Sequence, residues 1–199
     1  EMGHNITLNS PARYRFGGKT DGPMNTIVSE TLAQIMQHAT AYELLNQPGQ
    51  YGLPTNITAA VRRSAQNSFG ITARAHREYV AKGCPYSTVQ GGEPGQPDPT
   101  FGTFMTVAYE FVRMADERRD FRKPLQRMMA LLQTFNERDH RRFQARDSEA
   151  FRGTLMVAAL SYGFNTDARP AFRRLKFPVD DGIYRELIGR MAAGVNFVP

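Results

Sequence analysis

The chain has 199 residues, with 25 Lys and Arg against 19 Asp and Glu, and a formal net charge of +6. Its 41% hydrophobic and 22% charged residues exclude wholesale disorder, and the length supports a buried core without disulfides or metal. A single cysteine, Cys84, excludes an intramolecular disulfide and suits a reducing compartment.

Residues 1–25 show no helical period. Ile6 and Leu8, then Tyr14 and Phe16, alternate with polar residues between Pro11, Gly17-Gly18 and Gly22-Pro23. This predicts an extended arm or short hairpin. Leu32, Ile35, Met36, Ala39 and Tyr42 line one face of a helix over 27–46, closed by Pro48-Gly49. A second helix is expected from Asn56, placed to cap it, to Phe69-Gly70. A third is expected from Thr72 to Gly83, a natural left-handed C-terminal residue, with Arg74, His76, Arg77 and Lys82 on a polar surface. Residues 84–103 are rich in Gly and Pro and lack any period, which suits a linker or long loop.

The stretch from Phe104 to Arg146 joins strong apolar periodicity to the densest basic charge. Phe104, Val107, Phe111 and Met114 share one stripe, and Leu125, Met128, Met129, Leu132 and Phe135 share another. Two helices are therefore expected, divided near Lys123-Pro124, where proline favours a first turn. A helix over 148–162 follows, capped by Asp147 or Ser148 and ending before Gly163. Pro170 opens a short basic helix that ends near Phe177-Pro178. The last helix starts after Asp180-Asp181, buries Ile183, Leu187, Ile188 and Met191, and ends at Gly194 before a short apolar tail. The fold class is mainly α: helical, bundle-like domain(s) with an extended N-terminal arm or hairpin and a short C-terminal tail. The expected division is an arm at 1–25, a helical subdomain at 26–83, a loop or linker at 84–103, and a second helical subdomain at 104–199.

His4, His38, His76 and His140 lie far apart, and no spacing suits a zinc site, so neither a metal nor a cofactor is expected. Asp116, Glu117 and Asp120 form a carboxylate cluster, but the interleaved Arg113, Arg118, Arg119 and Arg122 read it as an ion-paired face. Glu110 and Arg113 have the Glu-x-x-Arg spacing of the active-site helix in ribosome-inactivating N-glycosidases, and also the spacing of a plain i, i+3 ion pair.

The basic residues carry the leading expectation. Eight basic and seven acidic residues precede position 101, whereas seventeen and twelve follow, and arginine outnumbers lysine 21 to 4. Guanidinium groups fork onto phosphates and stack on bases, although a GC-rich genome also favours arginine. Arg62, Arg63, Arg74, Arg77, Arg118, Arg119, Arg122, Arg141 and Arg142 are the expected phosphate contacts, with Tyr79 and Phe143 as stacking surfaces.

Thr31-Leu32-Ala33-Gln34-Ile35-Met36-Gln37-His38, Ala41-Tyr42-Glu43, Tyr51-Gly52-Leu53, Asn56-Ile57-Thr58, Phe69 and Arg74-Ala75-His76 follow one another in an order that resembles the coat proteins of potyvirus-type flexuous filaments. The resemblance spans about residues 26–83. It implies a helical region beside a groove that clamps single-stranded RNA, with an arm and a tail linking subunits. Val61 stands near the place of that family's RNA-contacting serine, Arg62-Arg63 fall beside that of its arginine, and its downstream aspartate motif has no counterpart here.

The expected function is therefore a structural protein that binds single-stranded nucleic acid, RNA foremost, as a coat or nucleocapsid subunit that self-associates through its termini. The competing expectations are a small helical enzyme or toxin domain built on Glu110 and Arg113 or on the 116–120 carboxylates, and an adaptor for an acidic partner. No apolar run reaches the roughly 20 residues of a membrane-spanning helix and the first residues lack a signal-peptide core, so the expected location is cytoplasmic or virion.

Overall fold

Burying apolar stripes spaced at three and four residues requires helices to pack on helices, and the protein does this throughout. The computed structural model describes residues 26–89, 91 and 97–192. Among them are eight helices and no strand: α1 (Thr26–Asn46), α2 (Thr55–Ala81), α3 (Phe101–Arg118), α4 (Arg122–Leu132), α5 (Glu137–Gln144), α6 (Glu149–Phe164), α7 (Arg169–Arg174) and α8 (Asp181–Ala192). The expected N-terminal arm and C-terminal tail lie outside the described residues.

α1, α2 and α3 pack on one another. The Thr31 hydroxyl approaches the Phe104 carbonyl and the Tyr42 hydroxyl donates to the Arg119 carbonyl, so α1 and α3 run parallel. Tyr79 lies over Gly102, His76 beside Thr106 and Phe69 beside Tyr109, so α2 runs antiparallel to both. Ile27, Leu32, Ile35, Val107, Ala108 and Phe111 are sealed between them.

The other half is built around α6. Every residue from Phe151 to Ser161 is buried, the pattern of a helix surrounded by others rather than lying on a surface. α4 and α8 pack along it, with α3, α5 and α7 completing the enclosure. At Gly163 the backbones come so close that a Cβ would stand 2.9 Å from the Pro124 carbonyl oxygen. The buried side chains of α1–α3 and of α4–α8 form one hydrophobic cluster.

Several boundaries differ from the sequence expectation. Phe69-Gly70 does not end a helix: α2 is one continuous 27-residue helix, about 40 Å long at 1.5 Å per residue. A lone glycine costs a helix about 1 kcal/mol, which continued hydrogen bonding and packing outweigh. Asn56 is no cap, because Pro54 holds the N-cap position. Gly83 does occupy the left-handed region, at φ 78°. Arg119 (φ 53°) and Asn165 (φ 49°) terminate α3 and α6 in the same conformation without being glycine. α6 therefore runs through Gly163. α5 was absent from the expectation. It is nucleated by a capping box in which the Asn136 side chain accepts from the Arg138 and Asp139 backbones, and Asp139 accepts from the Asn136 N–H at 2.9 Å.

Candidate nucleic-acid interface

α2 positions the site. Ser68, Thr72, Ala75 and Tyr79 follow spacings of four, three and four and form its buried stripe. The helical period then turns Arg62, Arg63, Arg74 and Arg77 outward, and all four are exposed. Arg63 and Arg74 are three turns apart on nearly one azimuth, separated by about 17 Å of helix rise. None of the four has a carboxylate or hydrogen-bond partner among the described residues. Glu78, four residues after Arg74, is the single acid on α2 and pairs with none of them.

On the azimuth of Arg62, with Arg63 and Arg74 about 100° or more further round the helix, lies a stack of rings. The His76 imidazole is flat on the Tyr109 ring, 4.2 Å between centroids and 9° from parallel. Phe69 lies 6.3 Å from Tyr109 and 21° from parallel to it, and His38 meets Phe69 edge-on at 6.3 Å. Phe69 is 42% exposed and is the outermost ring. Arg62, Phe69, His76 and Val80 fall at spacings of seven, seven and four, so a guanidinium, an open ring and the 46% exposed Val80 share one strip.

The rings are electrically quiet near neutral pH. Burial drives the His38 pKa down to about 4. Thr72 gives its hydroxyl proton to the Ser68 carbonyl, so its oxygen accepts from His38 Nε2 at 3.3 Å. Burial also lowers the His76 pKa; Glu110 opposes this, while Arg77 and Arg113 reinforce it. Positive charge on this face therefore comes from guanidinium groups alone. Such a face can hold phosphates through the arginines and a base through the open ring of Phe69.

The other predicted residues sit on α3, α4 and α5. Arg118 donates to Thr166 Oγ1 at 2.8 Å and lies 5.4 Å from the Phe164 ring. Arg119 and Arg122 are exposed at the α3–α4 turn without a side-chain partner among the described residues. Arg122 also edges an apolar groove of about 570 Å³ between α1 and α4, lined by Met36, Leu44, Tyr51, Leu125 and Met129. Arg141 is 3.8 Å from Glu137, both highly exposed. Arg142 pairs with Glu186 at 3.0 Å and covers the Phe151 ring at 4.3 Å.

Tyr79 and Phe143 are not stacking surfaces. Tyr79 is 2% exposed and its hydroxyl donates to the Leu175 carbonyl, while Phe143 is completely buried. Phe69 is instead the open ring on α2, seven residues from Arg62.

Glu110 and Arg113 form an i, i+3 pair in which Nε and Nη2 reach one carboxylate oxygen at 3.1 and 2.9 Å. The same guanidinium also holds Glu117. Asp120 accepts the Lys123 N–H at the start of α4. Among the described residues no three His, Cys, Asp or Glu side chains converge to hold a metal ion, and no helix is long and apolar enough to cross a membrane. No protein-family profile, curated protein or solved structure matches this chain.

Proposed function

We propose that this protein binds single-stranded nucleic acid, RNA foremost, through the outer face of α2. The reading rests on four guanidinium groups on one helix, all without a carboxylate partner among the described residues, one of which, Arg62, shares its azimuth with the half-exposed Phe69 ring. Phosphates would be held by counterion release and bases by stacking on Phe69, without readout of sequence. The resemblance of residues 26–83 to flexuous-filament coat proteins extends this to a packaging subunit that self-associates.

The test is anisotropy of a labelled single-stranded RNA against salt. Four phosphate contacts give a log–log slope of about −2.8, which is about a 50-fold loss of affinity between 50 and 200 mM salt. Arg62→Gln, Arg63→Gln, Arg74→Gln and Arg77→Gln together remove that slope. Phe69→Ala weakens binding at least fivefold and leaves the slope unchanged, because stacking is worth about 1–3 kcal/mol per base. Salt-independent binding, or full binding by the four-arginine variant, overturns the proposal. Equal affinity for polyglutamate of matched charge would assign the face to an acidic protein instead.

A further inference from the structure

A second basic feature lies on other helices. The end of α3, the start of α4 and the end of α6 enclose a concavity of about 360 Å³ walled by Arg118, Lys123 and Arg127, with Asp120 as its carboxylate and Asn165 at its edge. That volume is at the lower end of small-molecule sites, about 300–1,000 Å³, enough for an oxyanion with its substituent.

Three cations and one carboxylate line it, and one oxygen of that carboxylate, Asp120 Oδ1, accepts the Lys123 backbone N–H at 3.0 Å. Both guanidinium groups are held in place beforehand. Arg127 donates Nε to the Tyr162 carbonyl at 2.9 Å and lies over the Tyr162 ring at 4.5 Å. Arg118 donates one Nη to Thr166 and faces the Phe164 ring. The two Nη groups of Arg127, the Lys123 ammonium and the Asn165 amide have no acceptor among the described residues. Arg127, fixed by a carbonyl and a ring, and Arg118, tied to a hydroxyl, lose little entropy on binding, which distinguishes this concavity from a patch made of exposed lysines such as Lys123 alone.

We infer that this concavity is a binding site for a phosphoryl oxyanion, either free phosphate or a phosphate monoester at a strand end. Arg127 presents its fork to two oxygens, and Lys123 and Arg118 neutralise the remaining charge. The inference does not depend on the α2 face.

The experiment is phosphorus NMR titration of the full chain with inorganic phosphate in 150 mM chloride, in the wild type and in the four-arginine α2 variant. Saturable binding retained in the α2 variant supports the site, because the arginines of α2 are then absent. Lys123→Ala and Arg118→Gln, each removing a charge-assisted contact, are each expected to weaken it about tenfold. A melting curve without phosphate verifies that each variant folds. Tighter binding of a 5′-phosphorylated than of a 5′-hydroxyl trinucleotide identifies a strand end as the source; equal binding of the two beside saturable phosphate identifies free phosphate. Non-saturable titration, or unchanged binding with Lys123 and Arg118 both replaced, overturns the proposal.

Discussion

Arg152 offers the sharpest test of how the α6 half is held together. It is wholly buried and has no carboxylate partner. Nε donates to Thr88 Oγ1 at 2.8 Å, and Nη1 donates to the Phe143 and Ala145 carbonyls at 2.8 and 2.9 Å. A longer contact of 3.5 Å reaches the Arg146 carbonyl. The Phe143 carbonyl is one that the end of α5 leaves without an intrahelical donor, Ala145 is the residue that closes the helix, and a cation there also meets the negative end of the helix. Burial lowers the guanidinium pKa against the opposing effects of Tyr86, Glu149 and Asp147, yet arginine starts so high that it stays charged. Arg152→Met keeps the aliphatic stem and removes every donor. Each short bond from a charged donor contributes about 1.5–3 kcal/mol, and losing three is partly offset by relief of the guanidinium's desolvation, several kcal/mol. The expected net cost is about 3 kcal/mol, a large fraction of the 5–15 kcal/mol that holds a typical domain folded. In urea unfolding followed by circular dichroism, a slope near 2 kcal/mol per molar puts the midpoint about 1.5 M lower with the slope unchanged. Arg152→Lys restores the charge but not the fork, so it should recover less than half. A midpoint for Arg152→Met within about 0.3 M of wild type would mean that water satisfies those carbonyls and that Arg152 is not the tie.

Two further outcomes concern packing and charge. Gly163→Ala drives a Cβ against the Pro124 carbonyl, which cannot rotate away, and should cost about 1–3 kcal/mol by thermal melting; Gly189→Ala on α8 meets open space and should be neutral or stabilising by up to about 1 kcal/mol. Asp139 is buried, which alone would raise its pKa, but the Arg190 fork at 2.7 and 2.9 Å, the Asn136 N–H and the Arg142 charge together hold it below the ordinary value. A depressed folded pKa means that the stabilisation is complete above the unfolded value of about 3.9 and lost as pH falls through the folded one. Asp139→Asn should therefore cost about 3 kcal/mol at pH 7 and flatten the acid limb of stability below about pH 4. An acid limb as steep as wild type would show that another carboxylate governs it.

Much of the helical layout was legible because apolar spacing is a local property. α1 reads directly, since its stripe is complete and Pro48-Gly49 marks where it must stop. α2 misled because Phe69-Gly70 looks like a terminator, whereas glycine only weakens a helix that neighbours support on both sides. α5 has few apolar residues, so periodicity could not show it; its start was written in Asn136 and Asp139, three residues apart. Tyr79 was misplaced although the same period puts it on one stripe with Thr72 and Ala75. Ionic partners are harder to read, because they depend on tertiary approach. Glu78 stands one turn from Arg74 and does not pair with it, while Arg142 finds Glu186 forty-four positions away.

That contrast bears on why the arginines are there. Codon bias could scatter arginine along a chain. Among the described residues Arg119, Arg122, Arg138, Arg146, Arg174 and Arg185 also lack a side-chain partner, but nine of the fifteen arginines beyond α2 hold a carboxylate, carbonyl, hydroxyl or ring. Arg190 and Arg142 bind Asp139 and Glu186, Arg169 and Arg173 bind Asp181, Arg113 binds Glu110 and Glu117, and Arg127 and Arg118 cover rings. The arginines of α2 contribute no such bond, and Arg74 and Arg77 stand one turn apart with like charge, which costs a helix a few tenths of a kcal/mol. Residues kept for folding would destabilise the chain when replaced. Residues kept for a polyanion would not. Replacing Arg62, Arg63, Arg74 and Arg77 with Gln should therefore leave the unfolding midpoint unchanged or slightly raised, within about 0.5 kcal/mol, while RNA affinity collapses. A loss of stability above about 1 kcal/mol in that variant would place these side chains in the fold rather than at an interface; a collapse of binding at constant stability leaves recognition as their purpose.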